Sequence, residues 1–287
     1  MTVVGRRTPT FVATRDWSNG VLDERLVPSA SEAVPTDGIH GMNGTIEDIY
    51  RTQVVRDAQG NEYPLDSNID APEGRFLSQF IARNPAIKTT LEVGCAYGLS
   101  SLHICEALRD RDGASHVIVD PDQMSAWHGV GVANLARECL NFFELVLEPS
   151  EIALPRFLHE GRTDFDLIFI DGWHTFDQTL VDLYYANRMV RTGGYVIVDD
   201  CDRVTVAKAV SYILHYPNYQ RVATPYLSAS SSRIGRVARA LFPQGSARNI
   251  LPGRIYDAQY LPRTYPSMVA MRKISEDKRS WLWYEGF

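Results

Sequence analysis

From Thr89 to about Ile274, short apolar runs rich in β-branched residues alternate with longer segments whose apolar residues recur at helical spacing. That alternation is the signature of a parallel sheet covered by helices on both faces. The strand candidates are Thr90–Val93, His116–Asp120, Phe143–Leu147, Asp166–Asp171 and Tyr195–Asp199. They are apolar at nearly every position rather than at every second one, as expected of central strands buried on both sides. Between them, Leu99–Arg109, Trp127–Leu140, Ile152–Glu160, Phe176–Val190 and Val204–His215 carry the helical pattern. A last pair of runs, Arg221–Ala223 and Met268–Ile274, is placed to close the sheet as an antiparallel edge. The expected fold is therefore α/β, a Rossmann-like, mostly parallel sheet with helices on both faces.

Two regions fall outside this rhythm. Residues 1–70 are rich in turn formers, with one short helical candidate at Thr45–Arg51, and read as an N-terminal arm or lid before a catalytic domain over residues 71–287. An insertion at about residues 226–266, before the last strand, carries Arg233, Arg236, Arg239, Arg248, Arg254 and Arg263 against the single acid Asp257. Ile234, Val237 and Leu241 follow helical spacing there, so the segment reads either as an amphipathic cover for a site or a partner, or as a solvated loop.

A chain of 287 residues, 45% hydrophobic, builds one substantial core with decorations rather than two large domains. Its net charge of -6 argues against a general nucleic-acid binder and favours small-molecule chemistry. Cys95, Cys105, Cys139 and Cys201 show no CxxC spacing and read as reduced thiols. The sequence opens without the apolar stretch of a secretory signal and contains no run of about eighteen apolar residues, so no membrane span is expected and a cytoplasmic location is.

The segment TTLEVGCAYGLSS sets an apolar strand directly before a loop with Gly94 and Gly98, followed by a helix opening at Leu99–Ser101. Glycines permit close backbone approach, and the free amides of the helix terminus favour an anionic group, to which Ser100 adds a hydroxyl. The spacing is GxxxG rather than GxGxxG, which disfavours a dinucleotide. The next strand ends in Asp120, where a carboxylate can accept both hydroxyls of a ribose, and a third apolar strand leads into Pro149–Ser150–Glu151.

With these residues the chain resembles the class I S-adenosylmethionine (SAM)-dependent methyltransferases over roughly residues 67–275, LEVGCAYG looking like their first motif. Upstream, DSNIDAPEGRFLSQFIARNPAIKTTLEVG is similar to the opening helix and strand of the cation-dependent O-methyltransferases of catechol and caffeoyl-CoA type. The resemblance implies that Glu92, Gly94, Gly98, Ser100 and Asp120 contact SAM and that Ser150 and Glu151 lie beside its adenine.

Asp171 ends the fourth strand candidate, and Asp199 with Asp200 ends the fifth. Carboxylates crowded at one sheet edge raise one another's pKa unless a cation or hydrogen-bond donors compensate. A hard divalent ion such as magnesium does so and leaves positions for a substrate oxygen. The alternative is that one acid caps the following helix and leaves too few ligands. The pattern also resembles the macrocin-type sugar O-methyltransferases, which implies Asp171, Asp199 and Asp200 as metal ligands.

Where the catechol-type pattern has a lysine, three residues after the first acid, this chain has His174. His174 reads as a general base, with packing on adenine or hydrogen-bonding the loop as the alternative, and Asp171 as its catalytic neighbour. Trp173 reads as a surface for stacking on the cofactor or the substrate, or as core wall, and His128 as structural. The expected activity is methyl transfer from SAM to a hydroxyl of a small molecule, a sugar or phenolic natural product, assisted by a divalent cation. A metal-independent O- or N-methyltransferase and a non-catalytic SAM-binding subunit are the alternatives, and a homo-oligomer is left open.

Overall fold

The computed structural model describes residues 44–223 and 267–284. Residues 1–43 of the expected arm and the whole basic insertion lie outside the described residues.

The parallel strands β3 (Thr89–Val93), β4 (Ser115–Val119), β5 (Phe143–Val146), β6 (Phe165–Ile170) and β7 (Val190–Val198) form one sheet with the antiparallel β8 (Tyr219–Ala223) and β9 (Val269–Lys273). Strand order is β5-β4-β3-β6-β7-β9-β8. The chain leaves β3 toward β4 and β5, then returns to place β6 on the other side of β3. This reversal opens a crevice at the carboxyl ends of the strands, where ligands bind in open α/β sheets. The expected edge pair is present, with β9 inserted between β7 and β8.

Both faces of the sheet are covered. Helices α1 (Gly44–Thr52), α2 (Ala71–Arg83) and α3 (Leu99–Leu108) pack together with α4 (Val130–Arg137) through Ile46, Leu77, Leu102 and Val130. Leu167 and Phe169 of β6 belong to that core, while their neighbours Ile168 and Ile170 belong to the other. The second core joins α5 (Ser150–His159), α6 (Phe176–Met189) and α7 (Val204–Ile213) through Phe157, Leu183 and Val210. Each such side chain, buried rather than exposed, stabilises the fold by about 1.5–3 kcal/mol, which is why the strand runs are apolar throughout.

Within the expected arm, α1 covers the anticipated helix, and a hairpin of β1 (Val54–Arg56) and β2 (Glu62–Pro64) follows it. Ile46, Ile49, Val55 and Ile69 sit in the same core as the sheet, so residues 44–70 are packed against the domain. Helix α2 starts where the sequence demands it. Asp70 caps it and Glu73 reaches back to the Asp70 amide, a reciprocal capping box with Pro72 in the first turn. Cys95, Cys105, Cys139 and Cys201 are all free, the first two and the last buried. Among the described residues no helix is long and apolar enough to cross a membrane.

Candidate active site

The parallel ladder continues past the strand ends and aligns the residues that follow. The amide of Gly94 donates to Val119 O, that of Asp120 to Val146 O, that of Asp171 to Val93 O and that of Asp199 to Ile170 O. Glycine loop and carboxylates are thereby brought to one edge, around a cavity of about 950 Å³. Gly94, Gly98, Ser100, Asp120, Ser150, Glu151, Asp171, Trp173, His174, Asp199 and Asp200, all singled out from sequence, line it together.

At the glycine-loop end the main chain sets the shape. Gly94 has φ +87°, and a Cβ there would stand 2.1 Å from Asp171 O; Gly98 has φ +81°, and its Cβ would stand 2.6 Å from Gly131 Cα. Both glycines are thus required by backbone packed against backbone, beyond the ligand approach foreseen from sequence. Asp120 Oδ2 accepts from the Cys95 and Ala96 amides at 3.0 and 2.9 Å, and Oδ1 from Asp122 N, so this carboxylate also holds the loop. Burial raises its pKa against those bonds. No side chain caps α3, which leaves its first-turn amides at Leu99 and Ser100 for an anionic ligand. Gln178, which sequence reasoning missed, donates from Nε2 to Ser150 Oγ at 3.0 Å and Glu151 Oε2 at 3.1 Å and ties α6 to α5.

Glu92, expected among the cofactor contacts, does not line the cavity. It is fully buried in β3, where its Oε2 accepts from Ser101 Oγ and meets His116 Nε2 at 3.0 Å; its other oxygen has no hydrogen-bond partner. The side chain lies under the loop because β3 is a central strand, so any contact with a ligand would need that free oxygen.

At the acidic end side-chain charge dominates. His174 Nε2 lies 3.4 Å from Asp171 Oδ1 and 2.9 Å from Asp200 Oδ2, and Arg203 Nε reaches Asp200 Oδ2 at 2.9 Å. The bonds to Asp171 and Asp200 push the imidazole up to about 9, so it is protonated at neutral pH. Burial, with the nearby charge of Asp200, pushes Asp171 up to about 6 despite His174. Burial acts the same way on Asp200, yet its bonds to His174 and Arg203 hold it below the usual carboxylate range. Asp199 is 6% exposed, and burial with the charges of Asp171 and Glu73 raises it well above that range.

Ligand atoms of Asp171, His174 and Asp200 come within 4.8 Å of one another, a set that could hold a metal ion. Asp199, the third ligand expected from sequence, stands apart: its Oδ1 accepts from Asp200 N at 2.8 Å, and Asp200 takes the left-handed φ of +54°. That strained turn separates the directions of two consecutive acids. Thr175 caps α6 and Thr205 Oγ1 donates to His174 O at 2.6 Å, so the His174 loop is fixed from two helices. Trp173 is 73% exposed at the rim and forms no part of the core. His128 stacks on Tyr63 at 4.3 Å, away from the cavity. Glu73 and Arg203 line the cavity without having been foreseen.

Residues 91–201 match the family model of a methyltransferase domain. No curated protein sequence matches the chain at a significant level. Among solved structures, an O-methyltransferase from Bacillus cereus in complex with SAH is 19% identical, with a TM-score of 0.53 over 64% of this chain and 84% of that one. An SAH-bound methyltransferase of Podospora anserina is 16% identical, with a TM-score of 0.53 over 82% and 89% of the two chains. These likenesses establish the fold, and the family model covers the strands and loops that carry the cavity.

Proposed function

Taking as premise that residues 91–201 are a methyltransferase domain of the class I, SAM-dependent type, we propose that the protein is an O-methyltransferase acting on a hydroxyl of a small molecule, a sugar or phenolic natural product, with a divalent cation at its acidic end. The observation that carries this reading is that one cavity joins the glycine loop and Asp120 to the cluster of Asp171, His174 and Asp200.

The residues fit the groups assigned to them. The uncapped first turn of α3 suits the carboxylate of a methionine moiety, Asp120 a ribose, and Ser150 with Glu151 an adenine edge. Asp171 and Asp200 would offer carboxylate oxygens to magnesium or a similar ion, with Asp199 as the acid behind them. Such an ion, when bound, lowers the pKa of a hydroxyl beside it. The chain's own part is positional and protonic. The loop and the acids hold donor and acceptor in line, an effect worth several orders of magnitude in rate. His174 Nε2 holds a proton between Asp171 and Asp200; with those carboxylates engaged elsewhere it loses what keeps it charged and becomes the acceptor for the hydroxyl's proton.

One observation favours a second reading, a metal-independent methyltransferase: His174 and Arg203 already compensate Asp171 and Asp200. A SAM turnover screen across sugars, phenolics and amines, with added magnesium and with a strong chelator, separates the two. Turnover that collapses in chelator and returns with magnesium supports the first; turnover indifferent to both supports the second; no SAH binding by calorimetry would sink both.

A further inference from the structure

Gln178 and Asp182 stand four residues apart on α6 and so share one face of that helix. Gln178 lines the cavity, while Asp182, 1% exposed, lies beneath its wall: Asp182 Oδ2 is 3.8 Å from where a Cβ on the cavity-lining Gly172 would stand. Both bonds of the Gln178 side chain leave from Nε2, to Ser150 Oγ at 3.0 Å and to Glu151 Oε2 at 3.1 Å, at the start of α5. A primary amide has two N–H donors and one oxygen, so these two bonds occupy its donors. The reverse orientation would set the amide oxygen against the Glu151 carboxylate. The oxygen is therefore the group left over on a side chain that borders the cavity.

Asp182 favours the same orientation from behind. Burial pushes its carboxyl up to about 7, and the Ser150 hydroxyl and the Gln178 amide act against that shift, as donors near a carboxylate do. Neither Asp182 oxygen has a hydrogen bond of full geometry, so the acid remains open to a donor. Ser150 Oγ accepts from Gln178, which leaves its own proton to point at Asp182. The Gln178 nitrogen is thus surrounded by acceptors on Ser150, Glu151 and Asp182, and an amide turned over would lose all of them.

We propose that Gln178 reads the nucleobase of the cofactor: its Oε1 accepts from the 6-amino group of adenine, and Asp182 is the positioning residue that, through Ser150, keeps the amide from turning over. A base with an oxygen at that position would meet the acceptors of Gln178 and Glu151, so the site selects an adenosyl over an inosyl cofactor. The inference rests on the methyl-transfer reading above.

The probes are SAH and its 6-oxo analogue S-inosylhomocysteine, titrated calorimetrically into the full chain near pH 8, where Asp182 is ionised. Wild type is expected to bind SAH at least roughly tenfold more tightly, as when a hydrogen bond is lost and two acceptors are left face to face. Gln178→Leu should shrink that ratio to about threefold or less by removing the reading oxygen. Asp182→Asn should shrink it as well, since the amide can then turn over. A purely structural role for Asp182 would lower the melting temperature and both affinities together and leave the ratio as it was. Ser150→Ala, which cuts the link without touching the buried acid, should reproduce the smaller ratio. A wild type indifferent to the 6-position, or a Gln178→Leu protein that keeps the full ratio, would overturn the reading by Gln178. An undiminished ratio in Asp182→Asn or in Ser150→Ala would overturn the positioning role. Absence of SAH binding to wild type would sink the methyl-transfer reading itself, an outcome distinct from SAH binding without discrimination.

Discussion

At the glycine-loop end the cavity is walled by main chain held in fixed hydrogen bonds, while at the acidic end it is walled by charged side chains whose protonation depends on one another. Around Gly94 the backbone has no room to move, since the space a Cβ would take belongs to Asp171 O. Around Asp171 the groups have partners that can be exchanged: a proton on His174, the guanidinium of Arg203, or an added cation. A rigid end suits a constant ligand, and an adjustable end suits chemistry in which charge shifts. Substitutions at the first end should therefore cost stability and cofactor affinity together, and those at the second should cost chiefly turnover.

The largest expected effect is at Gly94. Alanine there meets both an unfavourable positive φ and a contact of 2.1 Å with a backbone oxygen, which nearby side chains cannot relieve. A cost on the order of 3 kcal/mol follows from strain of this kind. For a domain of this size that lowers the melting temperature by about 6–12 °C. Calorimetry should also find SAH binding lost. A Gly94→Ala protein that melts as wild type and still binds SAH would erase the contrast between the two ends.

Asp200→Asn comes next and should act in the opposite sense. It removes the charge that His174 and Arg203 both engage, in a residue that contributes little to the core. Turnover should fall about 100-fold, the scale seen when groups supporting a metal or catalytic centre are removed. SAH affinity should stay within about twofold. If affinity falls as far as turnover, the acidic end is part of the cofactor site and the division drawn above is wrong.

The pH response of the acidic end gives a smaller effect with a definite sign. The folded pKa of His174, about 9, lies above its ordinary 6.5. Its contribution to stability is therefore full below pH 6.5 and is lost as pH rises toward 9. Asp171, raised from 3.8 to about 6, acts in the same direction at lower pH: its ionised form is harder to reach in the folded state, so its cost grows as pH rises through that range and is complete above it. The comparison is accordingly made from pH 6.5 upward, without divalent ions. Wild type should melt about 1–3 °C above His174→Asn near pH 6.5, a part-exposed pair contributing little, and the gap should close by pH 9. A gap that widens with pH would mean that the ring is neutral in the folded protein.

The same division explains how much could be read from the sequence. Strands β3 to β7 were legible because central parallel strands must be apolar on both sides, and the glycine loop because Gly94 and Gly98 stand at a fixed distance from the strand and helix they join. Which acids meet was less legible. Asp199 and Asp200 are adjacent in sequence, and only the left-handed φ of Asp200 separates them, so that His174 rather than Asp199 completes the cluster. Glu92 likewise carries the motif but lies beneath the loop, paired with Ser101 and His116, which a strand pattern alone does not reveal. Glu73 belongs to the capping box of DAPE, yet nothing in that motif says that α2 borders the cavity.

Trp173 sharpens the comparison at its weakest point, because it lines the cavity and is 73% exposed. A side chain so exposed in the absence of a ligand is either a bystander or a surface kept clear for one. Stacking of a half-covered indole on a flat partner contributes about 1 kcal/mol, so Trp173→Ala should weaken SAH roughly fivefold and leave the melting temperature of the free protein unchanged. Calorimetric titration of both proteins reads the first and thermal unfolding the second. Equal SAH affinities would assign Trp173 to the acceptor side, where it should instead change KM for aromatic acceptors. A lower melting temperature would mean that the indole packs against the domain and that its exposure is not what keeps it there.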